Sequence, residues 1–281
     1  MKSVLITGCS SGLGLGMVEE FLKRGWRVFC TMRNSEQRRY LLAELLDKYP
    51  ELTLLELEVT NKIQRDAVVK TIEQSGKLDC LVNNAGFGLL GALENLSEEQ
   101  IRQQMEVNFY APVFLTRALL PLLRQTQGNV IFISSVCGYI GFPLMSAYSA
   151  SKYSLEGFAE SLYHELEPHK VDVTLIELGL TKSNFRKNLI WGIGQNQTYH
   201  KMTENYHSWQ DELTPKAKNN APLVARRVAD IAEKRASHQL RVRVGEEAIF
   251  THLFKRLLPE TIWLKALKML FQRKLLKHRN I

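Results

Sequence analysis

Ser3-Val4-Leu5-Ile6-Thr7-Gly8-Cys9-Ser10-Ser11-Gly12-Leu13-Gly14 begins as a short apolar run and breaks into a turn of glycines and small polar residues. Met17, Val18, Phe21 and Leu22 then recur at helical spacing, and the pattern stops at Arg24-Gly25. A strand, a tight turn and a helix with a glycine C-cap account for this order. Gly8, Gly12 and Gly14 let the backbone turn sharply and approach a pyrophosphate, whose charge would sit over the helix N-terminus. An ordinary loop of small residues has the same composition and is the competing interpretation. Working outward, apolar runs at 27–31, 53–59, 78–82, 130–133, 171–178 and 240–244 alternate with helical patterns at 37–48, 61–74, 97–124 and 222–236, and with one ending near Pro168. Strands separated by helices imply a parallel sheet. The expected fold is therefore α/β, a doubly wound parallel sheet of about seven strands with helices on both faces, binding its ligand where strand order reverses.

A second stretch, from Ser134 to Lys152, carries the chemistry. Tyr148 and Lys152 stand four apart, so on a helix they share a face about one turn apart, where an ammonium would lower the pKa of the phenol. Ser135 follows the apolar run 130–133, which looks like a buried strand ending at an active-site edge, where its hydroxyl can hydrogen-bond a substrate oxygen. A Tyr-x-x-x-Lys pair alone is weak, because surface helices carry it by chance. Here it stands with the glycine turn, with Asn83-Asn84-Ala85-Gly86, and with Asn108 inside a helix that Ser97 and Gln100 open as a capping box. Asparagine is a poor helix-interior residue, because its amide competes for backbone hydrogen bonds.

In this combination and order the chain resembles the short-chain dehydrogenase/reductases over roughly residues 2–245. The run Gly86-Phe87-Gly88-Leu89-Leu90-Gly91 and Leu155-Glu156-Gly157 are most similar to the 17-beta-hydroxysteroid and retinol dehydrogenase branch. The resemblance implies a Rossmann-like fold and reversible hydride transfer between NADPH and a carbonyl. It implies a catalytic set of Asn108, Ser135, Tyr148 and Lys152. Tyr148 would exchange a proton with the carbonyl oxygen, Ser135 would stabilise the developing alkoxide, and Lys152 would also hold the nicotinamide ribose. Asn108 would distort its helix and hold a proton-relay water. Cofactor contacts would come from Gly8, Ser11, Gly12, Leu13 and Gly14 in the first turn, and from Asn83, Ala85 and Gly86 in the second. Tyr148 and Lys152 would serve the cofactor as well.

Three departures from the family pattern affect the cofactor site. Glu58-Val59 replaces an Asp-Val, and its longer carboxylate would reach for the adenine amino group. Leu178-Gly179-Leu180-Thr181-Lys182-Ser183 lacks the usual proline, although Gly179 can still pass close to the nicotinamide and Ser183 can still bond its carboxamide. At the end of 27–31 the chain reads Met32-Arg33-Asn34, with no acid to chelate a ribose 2'-hydroxyl. A guanidinium there suits a 2'-phosphate, so NADP(H) is the expected cofactor and Arg33 its contact, against the alternative of a solvated surface arginine.

Charge is unevenly placed. Of 37 Lys and Arg and 29 Asp and Glu, residues 251–281 hold eight basic and one acidic, leaving 29 and 28 before them. A near-neutral body with a basic tail argues against a nucleic-acid-binding surface. Residues 1–250 are thus expected as one dinucleotide-binding domain, with 251–281 as a basic amphipathic tail. The tail is either packing surface, against the body or a partner in a homodimer or homotetramer, or a peripheral contact with an anionic membrane. Residues 184–220 are polar and aromatic with little periodicity, either a lid over an apolar substrate or a mobile loop. His200 and His207 lack further ligands at metal spacing, so no metal is expected. The four cysteines are unpaired in spacing and lie in or beside apolar runs, as free thiols of a reducing compartment do. The first strand starts too early for a signal peptide, which points to a cytoplasmic protein, soluble or peripheral at a membrane surface. The expected substrate is an apolar carbonyl or alcohol of steroid, retinoid or lipid type. A 3-oxoacyl-thioester reductase and a non-catalytic dinucleotide sensor are the alternatives.

Overall fold

Period-two alternation along the strands explains why helices cover both faces of the sheet. A computed structural model of the chain describes residues 1–281 except Ser183, Gln195, 234–238 and 277–281. Among the described residues seven strands form one parallel sheet: β1 (Ser3–Ile6), β2 (Arg27–Met32), β3 (Leu52–Glu56), β4 (Cys80–Asn83), β5 (Asn129–Ser135), β6 (Asp172–Leu178) and β7 (Arg241–Val244). Their spatial order is β7-β6-β5-β4-β1-β2-β3, so the chain reverses direction across the sheet between β1 and β4. Val4, Ile6, Ile131 and Ile133 face one apolar core with Met17, Phe21, Val224 and Val228 of helices α1 (Gly12–Lys23) and, later in the chain, Ala221–Glu233. The intervening Leu5, Val130 and Phe132 face the other core. There they meet Val68 and Ile72, then Leu115, Leu119, Leu155 and Leu162, from three further helices. The expected doubly wound parallel sheet is what forms.

Between β2 and β6 the helices are α2 (Ala43–Lys48), α3 (Lys62–Gln74), α4 (Glu98–Met105), α5 (Ala111–Thr126) and α6 (Ser146–Leu166). Several boundaries differ from the sequence expectation for local reasons. The stretch 37–48 is not one helix: Asn34 sits at φ 52°, and the Glu56 carboxylate accepts from Asn34 N and Ser35 N, holding a turn ahead of α2. Glu58 and Val59 fall beyond β3, since the Glu58 amide donates to the Gln64 side chain rather than to a strand. The capping box forms, with Ser97 Oγ accepting from Gln100 N at 3.1 Å and Gln100 Oε1 from Ser97 N at 3.2 Å. The helix it opens does not run unbroken to 124, because Glu106–Tyr110 is a π-helical segment between α4 and α5.

The polar stretch after β6 is structured. Ile190–Trp191 pairs with Leu89–Leu90, and Asn219–Asn220 pairs with Thr181–Lys182. Between them α7 (His200–Leu213) turns Tyr206 and Trp209, three residues apart, into the protein. After α8 (Ala221–Glu233) and β7, the chain ends in α9 (Glu246–Leu257), α10 (Glu260–Phe271) and a π-helical turn Gln272–Leu276.

Candidate active site

The glycine turn between β1 and α1 is built for close approach. Gly8 at φ +74° and Gly12 at φ +58° occupy a backbone region that side chains rarely adopt. A Cβ on Gly14 would stand 2.1 Å from the Gly8 carbonyl oxygen. Ser11 is the N-cap of α1 and makes no side-chain capping bond, and Leu13 packs on the core beneath. The opening of α1 therefore presents backbone N–H groups and a hydroxyl, the donor set a pyrophosphate takes. The residues present fit a dinucleotide here.

The turn after β4 is clamped to it. Thr7 Oγ1 accepts from the amides of Asn84 and Ala85, both at 3.0 Å, and Asn84 Nδ2 donates to the carbonyls of Thr7 at 2.7 Å and Gly8 at 3.1 Å. Asn83, expected to touch the cofactor, has its Nδ2 donating to Thr116 Oγ1 of α5 at 3.0 Å. Ala85 lies against Gly8, where a Cβ would approach the Ala85 Cα to 2.9 Å. Thr7 and Asn84 both stood in the motifs read from the sequence, but their pairing as a clamp between the two turns was not foreseen. Asn108 closes the turn from the other side: Oδ1 accepts from Phe87 N at 3.1 Å, and Nδ2 donates to Phe87 O at 2.9 Å and Ser151 Oγ at 3.2 Å. Gly86 lies tight against this contact, since a Cβ would come 3.0 Å from Asn108 Oδ1. Gln104 was also missed. Its side chain accepts from Leu89 N at 2.7 Å and donates to Phe87 O at 3.1 Å. The signal was a second amide four residues before Asn108.

Ser135, Tyr148 and Lys152 converge where β5 ends above α6. Cys137 N donates to Ser135 Oγ at 3.2 Å, and Lys152 Nζ donates to Ile133 O at 2.8 Å. Nζ lies 5.9 Å from the Tyr148 ring centroid, and both side chains are buried. The Tyr148 phenol is raised well above the usual tyrosine range, not lowered: burial is the largest cause, Cys137 adds to it, and the Ser135 hydroxyl opposes. Lys152 is pushed down to about 8 by burial, with Cys137 and Glu156 pulling the other way. Burial of the phenol outweighs any help from the nearby ammonium, so the expected lowering of the tyrosine does not appear. One turn on, the buried Glu156 carboxylate accepts from Ser134 Oγ at 2.6 Å and from Arg241 Nε at 2.9 Å. Arg243 Nε stands 2.8 Å from Glu177 Oε2 as an ion pair without the angle of a hydrogen bond. This network supports the end of β5 from beneath.

At the far end of the site, Arg33 Nη1 pairs with Glu58 Oε2 at 3.4 Å, so the two residues expected to meet the adenosine half stand together. The guanidinium remains mostly exposed. Val59 is buried, and its carbonyl accepts from Arg65. Gly179 N donates to Val244 O at 2.9 Å, and a Cβ there would meet Ala248 N at 3.2 Å, so the N-terminus of α9 flanks this turn. Ser183, the expected carboxamide contact, lies outside the described residues.

The wall around Tyr148 is apolar. Leu90, Cys137, Leu144, Met145, Tyr206, Trp209 and Leu275 form one buried cluster with it, and the Phe185 ring stands 5.9 Å away. Burial raises Cys137 to about 11, so it contributes as a neutral thiol. All four cysteines are buried and free. Further out, His207 stacks on Trp191 at 4.1 Å beside a cavity of about 380 Å³ that His200 also lines. Among the described residues no group of three His, Cys, Asp or Glu side chains is placed to hold a metal ion.

Comparison with known proteins agrees with this geometry. Residues 2–191 match the family model described as short chain dehydrogenase. A 3-ketodihydrosphingosine reductase of Bacteroides thetaiotaomicron is 36% identical over 200 residues, covering 70% of this chain and 71% of that one. Human retinol dehydrogenase 8 is 32% identical over 237 residues, covering 83% and 76%. The crystal structure of a short-chain dehydrogenase from Streptomyces avermitilis superposes with a TM-score of 0.82 at 30% identity, over 95% of this chain and 98% of that one. The clamp of two turns about a glycine-lined helix start, with a serine, a tyrosine and a lysine converging beside it, thus belongs to a chain that is a member of the short-chain dehydrogenase family, oxidoreductases of the alcohol–carbonyl couple.

Proposed function

We propose that the protein is an NADP(H)-dependent oxidoreductase that interconverts a carbonyl and a primary or secondary alcohol on an apolar substrate of steroid, retinoid or lipid type. The observation that carries the substrate class is the apolar wall closed around Tyr148, built from Tyr206, Trp209 and Leu275 as well as the body. A polar substrate would leave its own groups unpaired against that wall, at a cost that an apolar one escapes. The relatives named for a ketodihydrosphingosine and for retinol support the same class. NADP(H) rather than NAD(H) is supported by Arg33 standing exposed after β2, where no acid follows the strand.

Bound nicotinamide supplies the hydride, and the chain supplies position and protons. Burial keeps Tyr148 protonated across the neutral range, which is the form that donates to a carbonyl oxygen. The Ser135 hydroxyl, beside that phenol, donates to the same developing oxyanion. Lys152, anchored on Ile133 O, holds ribose hydroxyls. Asn108, fixed by Phe87 and Ser151, keeps the turn at Gly86 in place and holds the relay water on the lysine side. A substrate panel followed by NADPH absorbance tests the class: free steroid, retinoid and long-chain ketones or aldehydes are expected to turn over faster than small polar carbonyls. Preferred turnover of carrier-linked 3-oxoacyl thioesters, or none with any carbonyl, would overturn it.

A further inference from the structure

On α9 the apolar residues face outward. Ile249, Phe250, Leu253, Phe254 and Leu257 fall at spacings of three and four, so they form one stripe, and each is between 46% and 68% exposed. The opposite side of the helix anchors it to the body. Ala248 is buried, and its carbonyl accepts from the Tyr139 hydroxyl at 2.8 Å, while Lys255 Nζ donates to Tyr139 O. On α10 Ile262, Leu264 and Met269 are also exposed, while Trp263 is buried. An outward apolar stripe on a folded domain marks an interaction site.

Charge identifies the partner. Arg256, Lys265, Lys268 and Arg273 are exposed on the same two helices and their extension, and they enter none of the ion pairs found among the described residues. Residues 251–281 as a whole carry eight basic residues against one acidic. We propose that the outward face of α9 and α10 docks on an anionic lipid bilayer, the stripe entering the interface and the basic side chains meeting headgroups. A second copy of the chain fits less well, because a two-fold contact through this face would bring like charges together. Nucleic acid would leave the Phe and Leu stripe without a partner. No helix among the described residues is long and apolar enough to cross a membrane, so the contact is a surface one.

The position of this face gives it a purpose. From the end of α10 the chain turns inward: Phe271 lies 5.7 Å from Phe142 and 6.4 Å from Trp209, and Leu275 is buried in the cluster that holds Tyr148. The docked face and the wall of the proposed substrate site are consecutive parts of one segment, so docking would bring that wall close to the bilayer surface. The docking itself does not depend on the catalytic assignment, and binding is read without turnover.

Co-sedimentation of the full chain with vesicles of equal parts phosphatidylglycerol and phosphatidylcholine, against phosphatidylcholine alone, tests it. Anionic vesicles are expected to bind about tenfold more tightly, with the difference lost at high salt. Phe250→Ser with Phe254→Ser, and separately Lys265→Glu with Lys268→Glu, should each weaken binding by about tenfold or more with the melting curve unchanged. If the serine pair impairs folding, the glutamate pair decides, since its sites are exposed and unpaired. Absence of co-sedimentation at low salt, or equal binding to both vesicle types, overturns the proposal. So does a serine pair that dissolves a dimer while leaving vesicle binding unchanged, which would make the face a contact between copies.

Discussion

Lys152 is the residue whose chemistry the surroundings change most usefully. Burial lowers it to about 8 from an ordinary value near 10.5, so it loses its charge as pH rises through about 8 rather than above 10. If its ammonium holds the ribose, NADPH affinity should fall about tenfold between pH 7 and pH 9. Lys152→Met should bind more weakly at every pH and show no such slope; fluorescence titration reads both, and a flat wild-type profile would remove the ribose role. Arg33 is tested in the same way. Arg33→Ala should cut the preference for NADPH over NADH by about tenfold or more, the worth of one charge-assisted contact, and should leave NADH binding alone. Equal affinities in the wild type would reject the assignment. Spacing put Tyr148 and Lys152 on one helical face, and only their company of motifs singled them out with Ser135, whereas the direction of the tyrosine shift was not legible at all. Spacing reports which groups are close, and burial, which decides the sign here, comes from residues as distant as Tyr206 and Leu275.

At the scale of elements, what the sequence could not show was set from elsewhere in the chain. The capping box at Ser97 is local, and it forms as expected. The π-helical segment that follows α4 is pulled open by a loop: Asn108 and Gln104 both bond the Phe87 carbonyl, from a turn about twenty residues earlier. An interior asparagine announced a perturbation, but not its form. The turn at Asn34 and Ser35 likewise depends on Glu56 of a neighbouring strand. Burial alone would raise Glu56, yet the bonds from Ser35 and Asn34 outweigh it and hold the carboxyl below its usual range. Asn108→Ala would leave the Phe87 amide and the Ser151 hydroxyl without that partner, a loss of about 2 kcal/mol or more. The melting temperature should drop by about 4–8 °C, with turnover falling too, and calorimetry with an activity assay checks the pair. An unchanged melting point would mean that Asn108 does not secure the turn.

Over the whole molecule, alternation of strands and helices was enough to predict the sheet, because parallel strands bury both faces and their apolar runs are read directly. The insertion was harder. α7 puts Met202, Tyr206, Trp209 and Leu213 on one face at helical spacing, a four-residue stripe that the surrounding polar and charged residues mask in the sequence. It becomes a wall through contacts with Met145, Trp191 and the tail's Phe271. The central claim is that this wall brings an apolar carbonyl to the proton on Tyr148 beside a dinucleotide held by the glycine turn. The most direct test compares wild type with Tyr148→Phe, measuring NADPH binding by fluorescence and NADPH-dependent reduction of the best carbonyl from the panel. The ring keeps its packing and the transferable proton is gone, so binding should persist within about twofold while turnover falls by about 10²–10⁴. A folded Tyr148→Phe protein that reduces the same carbonyl at the wild-type rate would contradict the account.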